Sequence, residues 1–215
     1  MLGDLPPITR ALLMANVGLF LAQMGLGDGP FLDFMLWPLG NYPIGMNAGV
    51  FDQVGFLPWQ LLSYGFLHGG LTHLFFNMFA LWMFGGPLEA TWGSKRFLYY
   101  YLICVVGAGL VQLLVVSYVA EQGGAVYPTI GASGGVFGLL LAYGLLFPNV
   151  RLMLIIPPIP MRARTFVICY GLLELFLGVT GTQQGVAHFA HLGGMAFGFL
   201  LIQYWRGRWP FRRAR

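Results

Sequence analysis

The sequence predicts an all-α membrane protein, a bundle of six transmembrane helices with both termini in the cytoplasm. Two observations carry that expectation. Of the 215 residues, 58% are hydrophobic and only 8% are charged, a composition that belongs to the membrane class and excludes a soluble globular chain. The eleven basic residues fall into four clusters: Arg10; Lys95 and Arg96; Arg151, Arg162 and Arg164; and Arg206, Arg208, Arg212, Arg213 and Arg215. Cytoplasmic loops carry the excess of Lys and Arg, so each cluster marks a return to the cytoplasm. The intervals 11–94, 97–150 and 165–205 each have room for an out-and-back pair of spans of roughly 20 residues. Asp28, Asp33, Asp52 and Glu121 then lie outside, in loops without a base. The net charge of +4 is thus explained by topology, and no nucleic-acid partner is expected.

Taken in order, the first helix is expected near 9–25. The first interval is longer than two helices need, and its surplus, 27–67, reads as a large exterior loop rich in Gly, Pro and aromatics. Trp37 and Trp59 suit the membrane interface, so this loop is expected to lie partly among the outer headgroups. The second and third helices are expected near 70–86 and 97–119. Pro128 to Gly131 interrupts the chain before the fourth, near 132–147. Residues 151–164, with Pro157, Pro158 and Pro160, cannot continue a regular helix and read as a cytoplasmic crossover. The fifth and sixth helices are expected near 165–180 and 187–205. The whole chain, 1–215, reads as a single domain. Met1 to Ile8 lacks the basic region and cleavage site of a signal peptide, and no removable leader is expected.

Polar groups at membrane depth are costly and face a bundle interior or a water-filled cavity. Ser133, in Gly131-Ala132-Ser133-Gly134-Gly135, is expected at the start of the fourth helix. There the first backbone N–H groups have no intrahelical acceptor and the dipole end is positive, as an acyl-transfer nucleophile requires. The same string is equally a packing face, since Gly131/Gly135 and Gly134/Gly138 are small-xxx-small pairs.

His191, Gly194 and Gly198 share one face of the sixth helix. The glycines would let that face press on another glycine-rich helix, the fourth being the best candidate, and bring a histidine to Ser133 as general base. His188, one turn earlier and off this stripe, competes for the role. On the second helix His73 and Asn77 lie i, i+4 and could supply donors to an oxyanion, with His68 near the exterior surface. Interhelical hydrogen bonding is the alternative reading for all of them.

No H-E-x-x-H zinc motif occurs, and neither a metal nor another cofactor is expected. Glu174 is the only acid at membrane depth and reads as an interior hydrogen-bonding residue without a catalytic role. With no aspartate to orient His191, the expectation is a Ser–His dyad whose histidine is held by packing, with Phe137 placed to stack on it.

Three motifs together resemble the rhomboid family of intramembrane serine proteases: Gly131-Ala132-Ser133-Gly134 on the fourth helix, Ala190-His191-Leu192-Gly193-Gly194 on the sixth, and His68, His73 and Asn77 on the second. Their order and helix placement fit that family over nearly the whole chain. The resemblance implies Ser133 as nucleophile, His191 as general base, and His73, Asn77 and the Ser133 N–H as oxyanion donors. It implies transmembrane proteins as substrates, a cell-membrane location of the minimal bacterial (inner or plasma membrane) type, and an active site opening to the exterior. Glu89 falls in the turn after the second helix. Trp59-Gln60 stands where the family often has Trp-Arg. A non-catalytic rhomboid-like protein that binds membrane clients is the alternative function.

Overall fold

A computed structural model describes residues 5–47, 50–153, 158–181 and 186–207. The last basic residues, from Arg208 on, and residues 182–185 of the segment before the sixth helix lie outside the described residues.

Helix α1 (Pro7–Leu26) starts on a proline, whose fixed φ and missing N–H suit the first helical position. Helix α2 is one rod in three stretches: Leu71–Ala80, a wider π turn Leu81–Gly85, and Gly86–Trp92. It runs past the expected end at residue 86 because the π turn shifts the hydrogen-bond ladder just before Pro87, where the ring and absent donor would otherwise break it. Helices α3 (Ser94–Glu121), α4 (Ser133–Leu146), α5 (Ala163–Thr180) and α6 (His188–Trp205) complete the set. Three of them, α1, α3 and α5, are long and apolar enough to cross a membrane. The outward side chains fit that environment: Met24, Leu114, Leu172, Phe176 and Val179 are all at least 61% exposed.

Between the helices, the two segments expected as a loop and a crossover hold short strands. The long loop contains an antiparallel hairpin, β1 (Asn41–Asn47) with β2 (Val50–Gly55). The expected crossover 151–164 contains a second, β3 (Arg151–Met153) with β4 (Pro160–Arg162). Segments barred from helix by Pro and Gly still need partners for their backbone groups, and two short strands supply them to each other.

The loop is anchored at many points. Its 3₁₀ turn Gly29–Phe34 is tied down by Trp59 Nε1, which donates to the Asp33 carbonyl at 2.9 Å. Gln60, fully buried, donates to the Asp33 and Gly55 carbonyls and accepts the Trp37 N–H. A neutral amide therefore closes this loop at the position where an arginine was the family expectation.

Helix α3 is central, with Phe97, Tyr100, Tyr101 and Cys104 completely buried. Small residues let α4 and α6 approach it closely. A Cβ at Gly135 would stand 2.7 Å from the Tyr101 ring, and one at Gly138 would strike Cys104. In a bilayer, where lipid is as apolar as leucine, such close packing and interhelical hydrogen bonding hold helices together. Helix α5 is bound more lightly. Only Ala163, Val167 and Glu174 are buried on it, and Val167 packs against Gly144 of α4.

Candidate active site

The site is built around the start of α4. The segment before it is pinned from both sides: Leu36 and Thr129 exchange two backbone hydrogen bonds, 3.0 and 2.8 Å, and Gly131 N–H donates to the Tyr64 carbonyl at 2.9 Å. Tyr64 is itself fixed by its hydroxyl, which donates to the Val105 carbonyl. Gly131 adopts φ +130°, and a Cβ there would stand 2.7 Å from His73 Nε2. A glycine is required on both counts, and through it the His73 ring reaches the neighbourhood of Ser133. Helix α4 then begins at Ser133 itself, which is half-buried and beside N–H groups that have no intrahelical acceptor.

Helix α6 meets this point backbone to backbone. A Cβ on Gly194 would fall on the Gly134 carbonyl. Gly198, by contrast, faces Tyr100 and Cys104 of α3. The expected Gly194/Gly198 stripe is therefore divided between two helices, because α6 packs in the groove between α3 and α4. One turn before Gly194, His191 Nε2 lies 2.8 Å from Ser133 Oγ. The Phe137 ring stacks on the imidazole at 4.1 Å between centroids and 4° between planes.

His188 does not reach Ser133. Its Nδ1 lies 2.7 Å from Glu174 Oε2, and the same carboxylate oxygen lies 2.8 Å from His191 Nδ1. The expectation that His191 is held by packing alone is corrected: a carboxylate from α5 holds it as well. An ionised carboxylate only accepts hydrogen bonds, so Nδ1 of His191 is the donor and Nε2 presents its lone pair to the serine. Sequence reasoning missed this partnership. The signal was the stripe Ala163, Val167, Tyr170, Glu174 at helical spacing, followed by Gly178, against which His188 Cβ and Phe189 pack.

The second-helix residues are arranged less simply. His73 Nδ1 accepts the Gly69 N–H at 3.4 Å, which leaves the proton on Nε2, the side facing Gly131. Asn77 donates one amide hydrogen to the His73 carbonyl at 2.9 Å, leaving its second for another acceptor. His68 is buried, with its ring edge-on to His73 at 5.1 Å and its backbone N–H donated to Gln23. It does not touch Ser133.

Glu174, His188 and His191 could offer three ligand atoms to a metal, all within 4.8 Å of one another. Their 2.7 and 2.8 Å contacts are hydrogen-bond lengths. Two ligands of a tetrahedral zinc at ~2.0–2.1 Å would stand roughly 3.3 Å apart.

The sequence profile described as the Rhomboid domain matches residues 56–208, most of the chain and every residue of this site. The chain belongs to the rhomboid family. Among rhomboid relatives, it is 35% identical to RHOMBOID-like protein 4 of Arabidopsis thaliana, over 91% of this chain and 52% of the relative. It is 29% identical to Rhomboid protein 1, mitochondrial, of Saccharomyces cerevisiae, over 93% and 56%. It is 26% identical to Rhomboid protease GlpG of Serratia proteamaculans, over 94% and 63%. The chain thus spans about half the length of the rhomboid relatives it matches first. Family membership and its apolar helices make it a membrane-embedded, multi-pass protein.

Proposed function

We propose that this rhomboid protein is an intramembrane serine protease that hydrolyses peptide bonds in or near transmembrane segments of other proteins. The observation that carries the reading is the 2.8 Å approach of His191 Nε2 to Ser133 Oγ at a helix start. In the proposed reaction Ser133 Oγ bonds to the scissile carbonyl carbon as its proton passes to His191 Nε2. The oxyanion is met by the Ser133 N–H, His73 Nε2–H and the free amide hydrogen of Asn77. The C–N bond then breaks, and the imidazolium returns the proton to the leaving amine. Water, deprotonated by the same nitrogen, hydrolyses the acyl ester and frees Ser133.

The spacing of the basic clusters along the chain supports six spans with both termini in the cytoplasm. That orientation puts the start of α4, and with it Ser133, on the exterior side. The light attachment of α5 supports lateral entry of a substrate helix from the bilayer. Small or helix-breaking residues in that substrate would free the carbonyl that a hydrogen-bonded helix protects.

The test is cleavage of a model single-span substrate by the full chain, with fluorophosphonate labelling. The wild type is expected to cleave and to be labelled, and Ser133→Ala to do neither. Cleavage retained in Ser133→Ala sinks the mechanism. A folded wild type that binds membrane proteins but is neither labelled nor active is a non-catalytic client-binding rhomboid.

A further inference from the structure

A protease of this kind needs Ser133, His191 and oxyanion donors, and these leave one costly group without a role. Glu174 is 4% exposed, between the apolar stretches Leu172–Leu173 and Leu175–Val179 of α5. A carboxylate at such depth is expensive, and its presence in a spanning helix points to a working role. A purely structural account would have Glu174 fasten α5 to α6 through His188. That account needs one donor. The structure has two, because Oε2 also takes His191 Nδ1 at 2.8 Å, and that imidazole is the one whose other nitrogen meets Ser133.

We propose that Glu174 is the positioning residue of the active site, a carboxylate that orients His191 while His188, as second donor, orients the carboxylate. This role rests on the protease reading of the same site. Glu174 Oε2 accepts the Nδ1–H of His191 and thereby fixes the tautomer whose Nε2 is free to take a proton. When Ser133 gives up its proton to Nε2, the Nδ1 proton stays in place and the imidazolium faces an anion. The elements around the pair bring few other titratable groups: Tyr170 one turn earlier on α5, His188 on α6, and His73 on α2, whose ring lies against Gly131 near Ser133. None of them is a second carboxylate, so the anion beside His191 is Glu174 alone among the described residues.

Two features agree with this assignment. The Phe137 ring covers the flat face of His191, which fixes tilt but cannot select a tautomer. An acceptor at Nδ1 does select it. The interatomic spacings are also those of hydrogen bonds rather than of a splayed ligand set around zinc.

The experiment compares the wild type with Glu174→Gln, Glu174→Asp and Ser133→Ala, each as the full chain in lipid vesicles, with kcat, KM, fluorophosphonate labelling rate and Tm measured on each. Glu174→Gln is expected to lower kcat and labelling rate by at least about 10²-fold, toward the roughly 10⁴-fold loss seen when the orienting carboxylate of a serine protease is amidated. KM is expected to stay within about threefold, a split that a loosened fold would not give. Glu174→Asp, which keeps the charge but shortens the reach, is expected to recover part of that kcat. The inference is overturned if Glu174→Gln and Glu174→Asp both keep kcat within about twofold of wild type. It is equally overturned if lost activity follows lost Tm with kcat per folded enzyme unchanged. Should Glu174→Gln fail to fold, Glu174→Asp decides by the same kcat threshold. In each of these cases a wild type that cleaves and an inactive Ser133→Ala leave the protease reading standing. A folded wild type that neither cleaves nor labels overturns that reading and this inference with it.

Discussion

Gly194 of α6 presses on the Gly134 carbonyl of α4 so closely that a Cβ on Gly194 would overlap the oxygen. One turn earlier on α6, His191 reaches Ser133 at 2.8 Å. The two facts are one arrangement. A side chain between the helices would move the imidazole away from the hydroxyl, and a general base that is out of hydrogen-bond reach cannot take the proton.

Gly194→Ala is therefore expected to cost about 1–3 kcal/mol of stability through overpacking and to lower activity more than stability. Gly18→Ala on α1 is the control: nothing lies within 4 Å of its added Cβ, and helix propensity alone should leave stability equal or slightly higher. Thermal melts and cleavage rates of both variants make the comparison. Equal behaviour would contradict the close approach.

Ser133 and His191 should act as a unit. Ser133→Ala, His191→Ala and the double variant are expected to lose activity to about the same extent, each by at least roughly 10⁴-fold, because removing either partner disables the same proton transfer. Cleavage rates measured over long incubations test this. Additive losses would show that the two residues work independently.

The Phe137 stack should be graded by ring, not by hydroxyl. Phe137→Tyr is expected to stay within about twofold of wild type in kcat. Phe137→Ala loses a contact of roughly 0.5–1.5 kcal/mol, equivalent to about a twofold to tenfold fall in rate if the stack serves the transition state. Steady-state kinetics distinguish the two. A Phe137→Ala enzyme at full rate would rule out a steering role for the ring.

Glu89, expected in the turn after the second helix, lies instead on the last stretch of α2 (Gly86–Trp92), beyond the residues 70–86 read as the span, and ties three elements together. Its carboxylate accepts hydrogen bonds from the Ile8 and Thr9 N–H groups, the Thr9 hydroxyl and the Ser94 hydroxyl, at 2.6–2.9 Å. Burial alone would raise its pKa, but the bonds from Ser94, Ile8 and Thr9 outweigh it and hold the carboxyl below its ordinary value of 4.5. A carboxylate held low in the folded state stabilises it above the unfolded value, and that stabilisation fades as pH falls through the folded value. Glu89→Gln is expected to cost roughly 2 kcal/mol near neutral pH. The gap to wild type should narrow only below about pH 4.5, where the wild-type carboxyl itself takes up a proton. Melting temperatures of both proteins across this range check the sign.

Much of this architecture is local and could be read from the chain. Apolar runs bounded by Lys95, Arg96 and Arg151 fix where helices lie, because backbone groups in lipid must be satisfied within the segment. Pro128 to Gly131 forces a break, and α4 starts at Ser133 just beyond it. The π turn at Leu81–Gly85 and the two hairpins were not legible. Each depends on which backbone groups find partners across space, not on the residues that hold them.

Within the site the division is sharper. Residue types and helical spacing singled out Ser133, His73, Asn77 and a choice between His188 and His191. They favoured His191, which shares the Gly194/Gly198 stripe, over His188, but could not fix the rotation of the helix on which that preference depends. Packing supplied it. Gly194 against Gly134 turns His191 onto the serine, and Gly178 against His188 turns the other histidine onto Glu174. Nor could Glu174 be paired from sequence, because its partners lie fourteen and seventeen residues away on another helix. Residue types along the chain mark which polar groups stand at membrane depth, because inserting each one is costly. Which of them share a proton is set by packing, because a hydrogen bond depends on separations of a few tenths of an ångström that the contact of two glycines fixes.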